Sequence, residues 1–181
     1  HITSGEGGMV LTNDKHLDDR AKSLRNLCFT EDRFIHDEIG YNYRMTNLQA
    51  AIGVAQLEQI EDMVNKKRWI GNLYNELLKD MDLIKTPKQV HNSTHVYHQY
   101  TLKVLNGKRD DLMKYLDQNG IETRVYYPIP VHKQKAFSKY SNTSLVNTEE
   151  LTTSCLSLPI CADIEKTSQD FIIEKIKSFF K

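Results

Sequence analysis

Apolar side chains recur at intervals of three and four residues between Leu48 and Val64, which is the spacing of one face of an α-helix. Thr46 or Asn47, just ahead of this pattern, can cap the first turn with a side-chain oxygen. The pattern continues to about residue 81 and predicts either one very long helix or two helices that bend near Gly71. Because a helix of about thirty residues exceeds the usual globular length, we expect it to cross between two domains or to line a subunit interface.

Two elements and a loop are predicted ahead of this helix. Residues 7–14, GGMVLTND, form a short apolar run between a glycine pair and a polar turn, and they predict a strand inside a sheet. Residues 13–27 predict a helix that packs on one side, with Asn13 or Asp14 as its N-cap. Residues 28–45 interleave aromatic and charged side chains without a period, so we expect an ordered loop there.

The chain after about residue 85 alternates between strand and helix patterns. Strands are predicted at 95–105 and 121–128, and helices at 108–120 and 165–180. Gly120 is placed to end the first of these helices. This order of elements predicts a small α+β layer, in which helices cover one face of an antiparallel sheet.

Charge and cysteine usage narrow the possible partners. The 24 basic and 24 acidic residues cancel, and no block of Lys and Arg forms a basic stripe, so a nucleic-acid partner is not expected. No apolar run is long enough to cross a bilayer, so a membrane partner is not expected either. Cys28, Cys155 and Cys161 lack the spacing of a metal site or a redox pair, and we predict buried thiols in a cytoplasmic protein.

Two further clusters are interpreted as structural. The glycines of SGEGG (4–8) suit a tight turn into a strand, beside which Glu6 can pair with an Arg. His95 and His98 lie close together in sequence, but their positions on a strand place them on opposite faces. We therefore predict no metal site at these histidines.

Side chains suited to anions occur in the segment YNYRM (41–45). Asn42 offers an amide donor to a phosphate, and the tyrosines beside it can stack or donate hydroxyl groups. The alternative for this segment is a cap region for the helix that follows. Arg44 suits bidentate binding of a carboxylate or a phosphate, with an intramolecular ion pair as the alternative.

The segment RVYYPIPVHKQ (124–134) ends a predicted strand in a turn punctuated by proline. Such a turn holds its side chains at fixed angles, and Tyr126, Tyr127 and His132 on it suit sugar hydroxyls and a nucleotide. The alternative for His132 is a core or surface histidine whose hydrogen bonds are satisfied within the protein.

Three of these stretches together resemble a known family. ITSGEGGMVLTND (2–14), GYNYRMTNLQAAIGVAQLE (40–58) and YYPIPVHKQKAF (126–137) closely resemble the DegT/DnrJ/StrS family of sugar aminotransferases, which depend on pyridoxal 5'-phosphate (PLP). The first half is most like the perosamine-type branch that aminates C4 of the sugar, whereas YPIPVHKQ is equally similar to the branch that aminates C3.

The resemblance implies an α/β protein of aminotransferase fold type I. Residues 1–45 would form the last strand and helix of the large PLP-binding domain and an active-site loop. Residues 46–82 would form the long connecting helix or helices, and residues 83–181 the small α+β C-terminal domain. The implied assembly is a homodimer with shared active sites.

The resemblance also implies the chemistry. A catalytic Lys that forms the Schiff base with PLP is expected immediately before His1, so we predict no catalytic residue within 1–181 and no turnover by this chain alone. Glutamate is the implied amino donor, and a nucleotide-linked keto-deoxyhexose the implied acceptor.

The resemblance also implies roles for the residues that match the family's binding positions. Asn42 would contact the PLP phosphate of the neighbouring subunit. Arg33 would bind the nucleotide diphosphate across the dimer, although an ion pair among the surrounding acids is the alternative. Tyr127 and His132 would lie over the sugar.

Two other functions stay open at this stage. A His in place of the expected Lys is typical of the family's PLP-dependent deoxysugar dehydratases. A non-catalytic dimerisation and binding module is the other alternative. The residue immediately before His1 discriminates among the three.

Overall fold

Helix α1 (Lys15–Arg25) is the first element of the computed structural model, which describes residues 1–32 and 34–181. The chain divides into two compact units, His1–Ile60 and Glu61–Lys181. The remaining helices and strands, in chain order, are α2 (Asn47–Leu57), α3 (Ile60–Leu78), β1 (Ile84–Lys85), β2 (Tyr100–Val104), α4 (Arg109–Gln118), two 3-10 helices (Val131–Lys133 and Lys135–Tyr140), α5 (Val146–Ser154), β3 (Cys155–Leu158) and α6 (Lys166–Phe179).

Both helices of the first unit begin at side-chain caps. Asp14 accepts hydrogen bonds from the backbone N–H groups of His16 and Leu17, at 2.8 and 3.3 Å. Thr46 and Gln49 form a reciprocal capping box, in which each side chain accepts from the backbone N–H of the other. Of the two candidate caps that the sequence offers at each helix, the structure uses Asp14 and Thr46.

Residues 7–14 do not form the buried strand that the sequence predicts. Met9 and Leu11 are 78% and 87% exposed, and the segment forms no ladder. A strand requires a neighbouring strand to accept and donate its backbone hydrogen bonds, and the described part of this unit contains none. The apolar pattern alone therefore does not produce a strand here.

The segment predicted as one long helix or two bent helices forms two helices, and the interruption lies at a different position from the predicted one. Helix α2 ends at Leu57 and α3 begins at Ile60, so the interruption lies at residues 58–59 and not at Gly71. Gly71 lies inside α3 and is buried. A Cβ at this position would lie 2.8 Å from the Tyr97 ring, so this glycine permits close packing and not a bend.

The second unit contains the predicted antiparallel sheet. Its strand order is β1-β2-β3, with Tyr100 opposite Leu158 and Lys103 opposite Cys155. Helices α3, α4 and α6 contribute to one core with the three strands. Its side chains include Ile70, Tyr74, Leu78, Ile84, Leu102, Leu112, Leu116, Leu156, Ile172 and Ile176.

Some elements of the second unit were predicted and others were not. The helices at α4 and α6 are confirmed, and Gly120 follows α4 with a φ of 74°. The predicted strand at 121–128 is reduced to one antiparallel bridge between Arg124 and Ser157. Pro128 has no N–H to donate to a neighbouring strand, so strand pairing cannot continue through this residue. Helix α5 and strand β3 lie where no element was predicted.

Two of the three cysteines are buried. Cys28 and Cys155 are buried as predicted, whereas the prediction for Cys161 is wrong because this thiol is exposed. Cys161 follows β3 and lies outside the core. Across residues 1–32 and 34–181, no helix combines the length and the apolar character that a bilayer span requires.

Candidate active site

The segment YNYRM is held against the end of helix α1 by backbone hydrogen bonds. The N–H of Tyr41 donates to the carbonyl of Leu24 at 2.7 Å, and the N–H of Tyr43 donates to the carbonyl of Arg25 at 3.0 Å. These bonds flank Asn42, which forms an antiparallel bridge with Asn26. The backbone that carries Asn42 is therefore fixed by the last turn of a capped helix.

The Asn42 amide is oriented by Arg44. Arg44 donates from Nε to Asn42 Oδ1 at 3.0 Å and from a terminal guanidinium nitrogen to Asn26 Oδ1 at 3.2 Å. A guanidinium has donors only, so it selects the oxygen of the Asn42 amide. The Nδ2 group of Asn42 has no hydrogen-bond partner among the described residues. It remains a donor, which fits the phosphate of a cofactor.

Arg44 thus has a role that neither sequence alternative included. It bonds two amide oxygens, and no ion pair to it is found in residues 1–32 and 34–181. Asn26 directly follows the last residue of α1. Its proximity to Arg44, eighteen residues later, could not be read from the pattern.

A groove of about 850 Å³ lies beside this segment within the first unit. It is lined by residues 6–10, by one face of α1 and by Tyr41, Tyr43 and Met45. The two tyrosine rings stack with centroids 5.0 Å apart and planes within 8°. Gly7 has a φ of 148°, which L side chains rarely adopt, and this supports the structural role predicted for SGEGG.

Arg33 lies outside the described residues. Its predicted contact with a nucleotide diphosphate stays a prediction.

Tyr126 and Tyr127 lie on the proline-rich turn of the second unit. Both side chains are exposed, and their rings meet edge to face with centroids 6.3 Å apart. Before them, Arg124 exchanges two backbone hydrogen bonds with Ser157, at 2.7 and 3.1 Å. An exposed aromatic pair on an anchored turn suits a sugar ring, so the predicted role of Tyr127 is compatible with its position.

His132 is 9% exposed and has a protein partner. Its Nε2 lies 3.2 Å from Oε1 of Glu149, and the same oxygen accepts the backbone N–H of Leu145 at 3.2 Å. The pKa of Glu149 is held below its ordinary value of 4.5, mainly by the hydrogen bond from the Leu145 N–H. The hydrogen bond with His132 and the charge of Lys133 lower it further. This geometry satisfies one ring nitrogen of His132 within the protein, and a sugar contact by His132 stays a prediction.

Within each unit, then, the structure groups some of the candidate residues. Asn42, Arg44 and the stacked tyrosines form one cluster in the first unit, and Tyr127 and His132 share one turn in the second. Glu149 was missed by sequence reasoning. The available signal was an acid four residues after Leu145 at the start of a helix.

The chain is similar to known proteins over almost its whole length. The model of the DegT/DnrJ/EryC1/StrS aminotransferase family matches residues 1–177. The chain belongs to this family. Aminotransferases of the DegT/DnrJ/EryC1/StrS family depend on PLP and have the α/β fold of type I, so the cofactor and the fold class expected for the family are confirmed.

Two curated relatives and one solved structure illustrate the similarity. The chain is 37% identical to GDP-perosamine synthase of Escherichia coli O157:H7, covering 99% of this chain and 49% of the relative. It is 34% identical to a pleiotropic regulatory protein of Geobacillus stearothermophilus, covering 98% and 48%. The crystal structure of NtdA from Bacillus subtilis, with the cofactor PMP bound, has 28% identity and a TM-score of 0.83, covering 92% of this chain and 40% of NtdA.

The chain therefore spans about half the length of the curated relatives it matches. The region matched by the family model, residues 1–177, contains the whole first unit and all but the last four residues of the second.

Proposed function

We propose that this chain forms part of a PLP-dependent nucleotide-sugar aminotransferase. In this proposal an amino group passes from glutamate to a nucleotide-linked keto-deoxyhexose in the cytoplasm. The family match over residues 1–177 supports the class of reaction. The observation that carries the proposal is the Asn42 amide, whose oxygen is engaged by Arg44 and whose Nδ2 is left to donate.

PLP, when bound, supplies the carbonyl and the electron sink that amino-group exchange requires. Asn42 would hold its phosphate by a hydrogen bond from Nδ2, and Arg44 would keep that amide in the donating orientation. We assign the bound cofactor to the neighbouring subunit of a homodimer, as the family resemblance implies. The lysine that carries out the chemistry is expected immediately before His1.

The acceptor would be bound by residues of three kinds. Tyr127 offers an exposed aromatic face to the sugar, and His132 is assigned to the same ligand. Arg33 would bind the diphosphate through its guanidinium. The similarity to GDP-perosamine synthase supports a sugar aminated at C4, and the segment 127–134 also resembles enzymes that aminate C3.

The test is a pair of half-reactions, followed by cofactor absorbance in the PLP-loaded protein. Glutamate should convert the cofactor to its amino form, and a nucleotide-linked 4-keto-6-deoxyhexose should return it with release of an amino sugar. A product that has lost a hydroxyl group without gaining an amine would instead identify a dehydratase. A Lys as the residue preceding His1 would support transfer, and a His would support dehydration.

A second candidate is a non-catalytic regulatory or dimerisation module. The observation that favours it is the name of the Geobacillus stearothermophilus relative, a pleiotropic regulatory protein. Absence of both half-reactions from a protein that binds PLP stoichiometrically would favour this candidate.

A further inference from the structure

One carboxylate oxygen connects the proline-rich turn to the start of helix α5. Oε1 of Glu149 lies 3.2 Å from His132 Nε2 and 3.2 Å from the backbone nitrogen of Leu145. Lys133 Nζ lies 3.6 Å from the same oxygen. Leu145 is the N-cap residue of α5, and its backbone N–H donates to Glu149 as the N-cap N–H does to the acid of a capping box.

This contact also fixes the proton of His132. An ionised carboxylate only accepts, so the ring nitrogen that faces Glu149, Nε2, must carry the hydrogen. The other nitrogen, Nδ1, has no hydrogen-bond partner in the part of the chain that the structure describes. The partner of one imidazole nitrogen decides which tautomer is present, so Glu149 determines what Nδ1 can offer to a ligand.

The turn is held at both ends. At its start, Arg124 is bonded to Ser157 of β3, and at its end, His132 is bonded to Glu149 of α5. Helix α5 ends at Ser154 and β3 begins at Cys155, so the two anchors belong to consecutive elements. Pro128 and Pro130 restrict the backbone between the anchors. Loss of one anchor would therefore release the backbone that carries Tyr127.

We propose that Glu149 is the positioning residue of this turn: it holds His132 as the Nε2–H tautomer and thereby fixes the segment that presents Tyr127 to the nucleotide sugar. The assignment of the ligand rests on the proposed function. The tether itself does not, because it is made entirely by residues of this chain.

The first experiment tests the tether in the chain itself. Trypsin cleaves after Lys133, Lys135 and Lys139, which follow the anchor, and its rate reports local opening of the turn. Glu149→Ala should accelerate cleavage at these sites about tenfold, and Glu149→Gln, which keeps an acceptor oxygen, should restore most of the protection. Glu150→Ala is the matched control, because Glu150 is the neighbouring acid and bonds Lys103.

Nitrogen-detected NMR of the imidazole rings provides a second readout. His132, assigned by comparison with His132→Gln, should show the Nε2–H pattern in the parent and in Glu150→Ala. It should lose this preference in Glu149→Ala. Unchanged cleavage and an unchanged tautomer in Glu149→Ala would overturn the tether.

The second experiment tests the ligand in the PLP-loaded enzyme. Glu149→Ala should raise KM for the nucleotide sugar about tenfold and leave the half-reaction with glutamate unchanged. Faster proteolysis with an unchanged KM would overturn the positioning role, since the turn would be released without effect on the sugar. If the parent performs neither half-reaction, the proposed function fails, and proteolysis and NMR still decide whether Glu149 holds the turn.

Discussion

Arg44 donates from Nε to the side-chain oxygen of Asn42 at 3.0 Å, which leaves the Asn42 Nδ2 group as a donor. A hydrogen bond from that amide to a charged phosphate is worth about 1.5–3 kcal/mol. Asn42→Ala should therefore lower PLP retention roughly ten- to hundredfold, measured as the dissociation constant of the holoenzyme. Arg44→Lys should also weaken retention, because one ammonium cannot reproduce the fork that spans Asn42 and Asn26. The effect should be smaller than that of Asn42→Ala, because the amide donor is still present.

Asn13→Ala provides the control for these two variants. Asn13 is exposed and Asp14, not Asn13, caps α1. A PLP dissociation constant that is the same in Asn42→Ala and Asn13→Ala would return Asn42 to a purely structural role at the end of α1.

Arg33→Ala should separate substrate binding from chemistry. If the guanidinium binds the diphosphate, KM for the nucleotide sugar should rise about tenfold or more, and the glutamate half-reaction should be unchanged because glutamate has no diphosphate. The parent's KM should also rise with salt, since the site must open to solvent. Arg20→Ala is the control, because Arg20 already bonds Glu38. Equal slowing of both half-reactions by stopped-flow absorbance would identify Arg33 as a structural ion-pair partner.

Gly71→Ala should destabilise the second unit. Alanine gains about 1 kcal/mol over glycine inside a helix, but overpacking costs about 1–3 kcal/mol. The new Cβ would lie 2.8 Å from the buried Tyr97 ring, so the overpacking penalty should dominate and leave a net loss of up to about 2 kcal/mol. Trp69, on the same helix, reports urea unfolding of this unit by fluorescence.

Gly53→Ala in α2 is the matched comparison, followed by circular dichroism. The nearest atom to its Cβ would be Ser4 Cβ at 3.9 Å, so alanine should be neutral or stabilising by about 0.5–1 kcal/mol. The same loss of stability at both glycines would refute the argument from packing.

Glu149 should make the second unit sensitive to acid. Its pKa in the folded state is lowered by the Leu145 N–H, by His132 and by Lys133, so the unfolded chain binds more protons on this group near and below pH 4.5. The stability that it contributes is present above the unfolded pKa and is lost as the pH falls through the folded pKa. Urea unfolding from about pH 6 to pH 3 should show a shallower acid-side decline for Glu149→Gln than for the parent. Parallel profiles would contradict this linkage.

A homodimer whose interface includes residues 33–55 is expected. Helix α2 is apolar but buries none of its residues, and Leu48 is 74% exposed. A contiguous apolar surface of this kind marks an interaction site. Leu48→Asp should shift the holoenzyme toward monomer in light scattering, whereas Leu17→Asp on α1 should not. A stable monomer formed by the parent holoenzyme would exclude this assembly.

Local patterns in the sequence were sufficient for much of the fold. Helices α1 and α2 and the end of α4 near Gly120 depend on contacts within one or two turns, so composition and spacing predict them. For each of the first two helices the sequence offers two candidate caps, and the structure uses Asp14 and Thr46. The family resemblance added the fold type and the PLP dependence of the family. The strand predicted at 7–14 does not form, because a strand depends on a neighbouring strand that local sequence does not specify.

The pairings at the candidate site were decided by tertiary structure. Arg44 meets Asn26 across eighteen residues, and His132 meets Glu149 across seventeen. No periodicity encodes such pairs, because each depends on where a separate element ends and how the backbone returns to it. The role of Gly71 follows the same rule: sequence shows that glycine permits a bend, and only the packing of Tyr97 shows that the missing side chain is needed for space. Sequence thus determined the elements by their own hydrogen bonds and apolar faces, whereas the contacts between elements were fixed by packing in three dimensions.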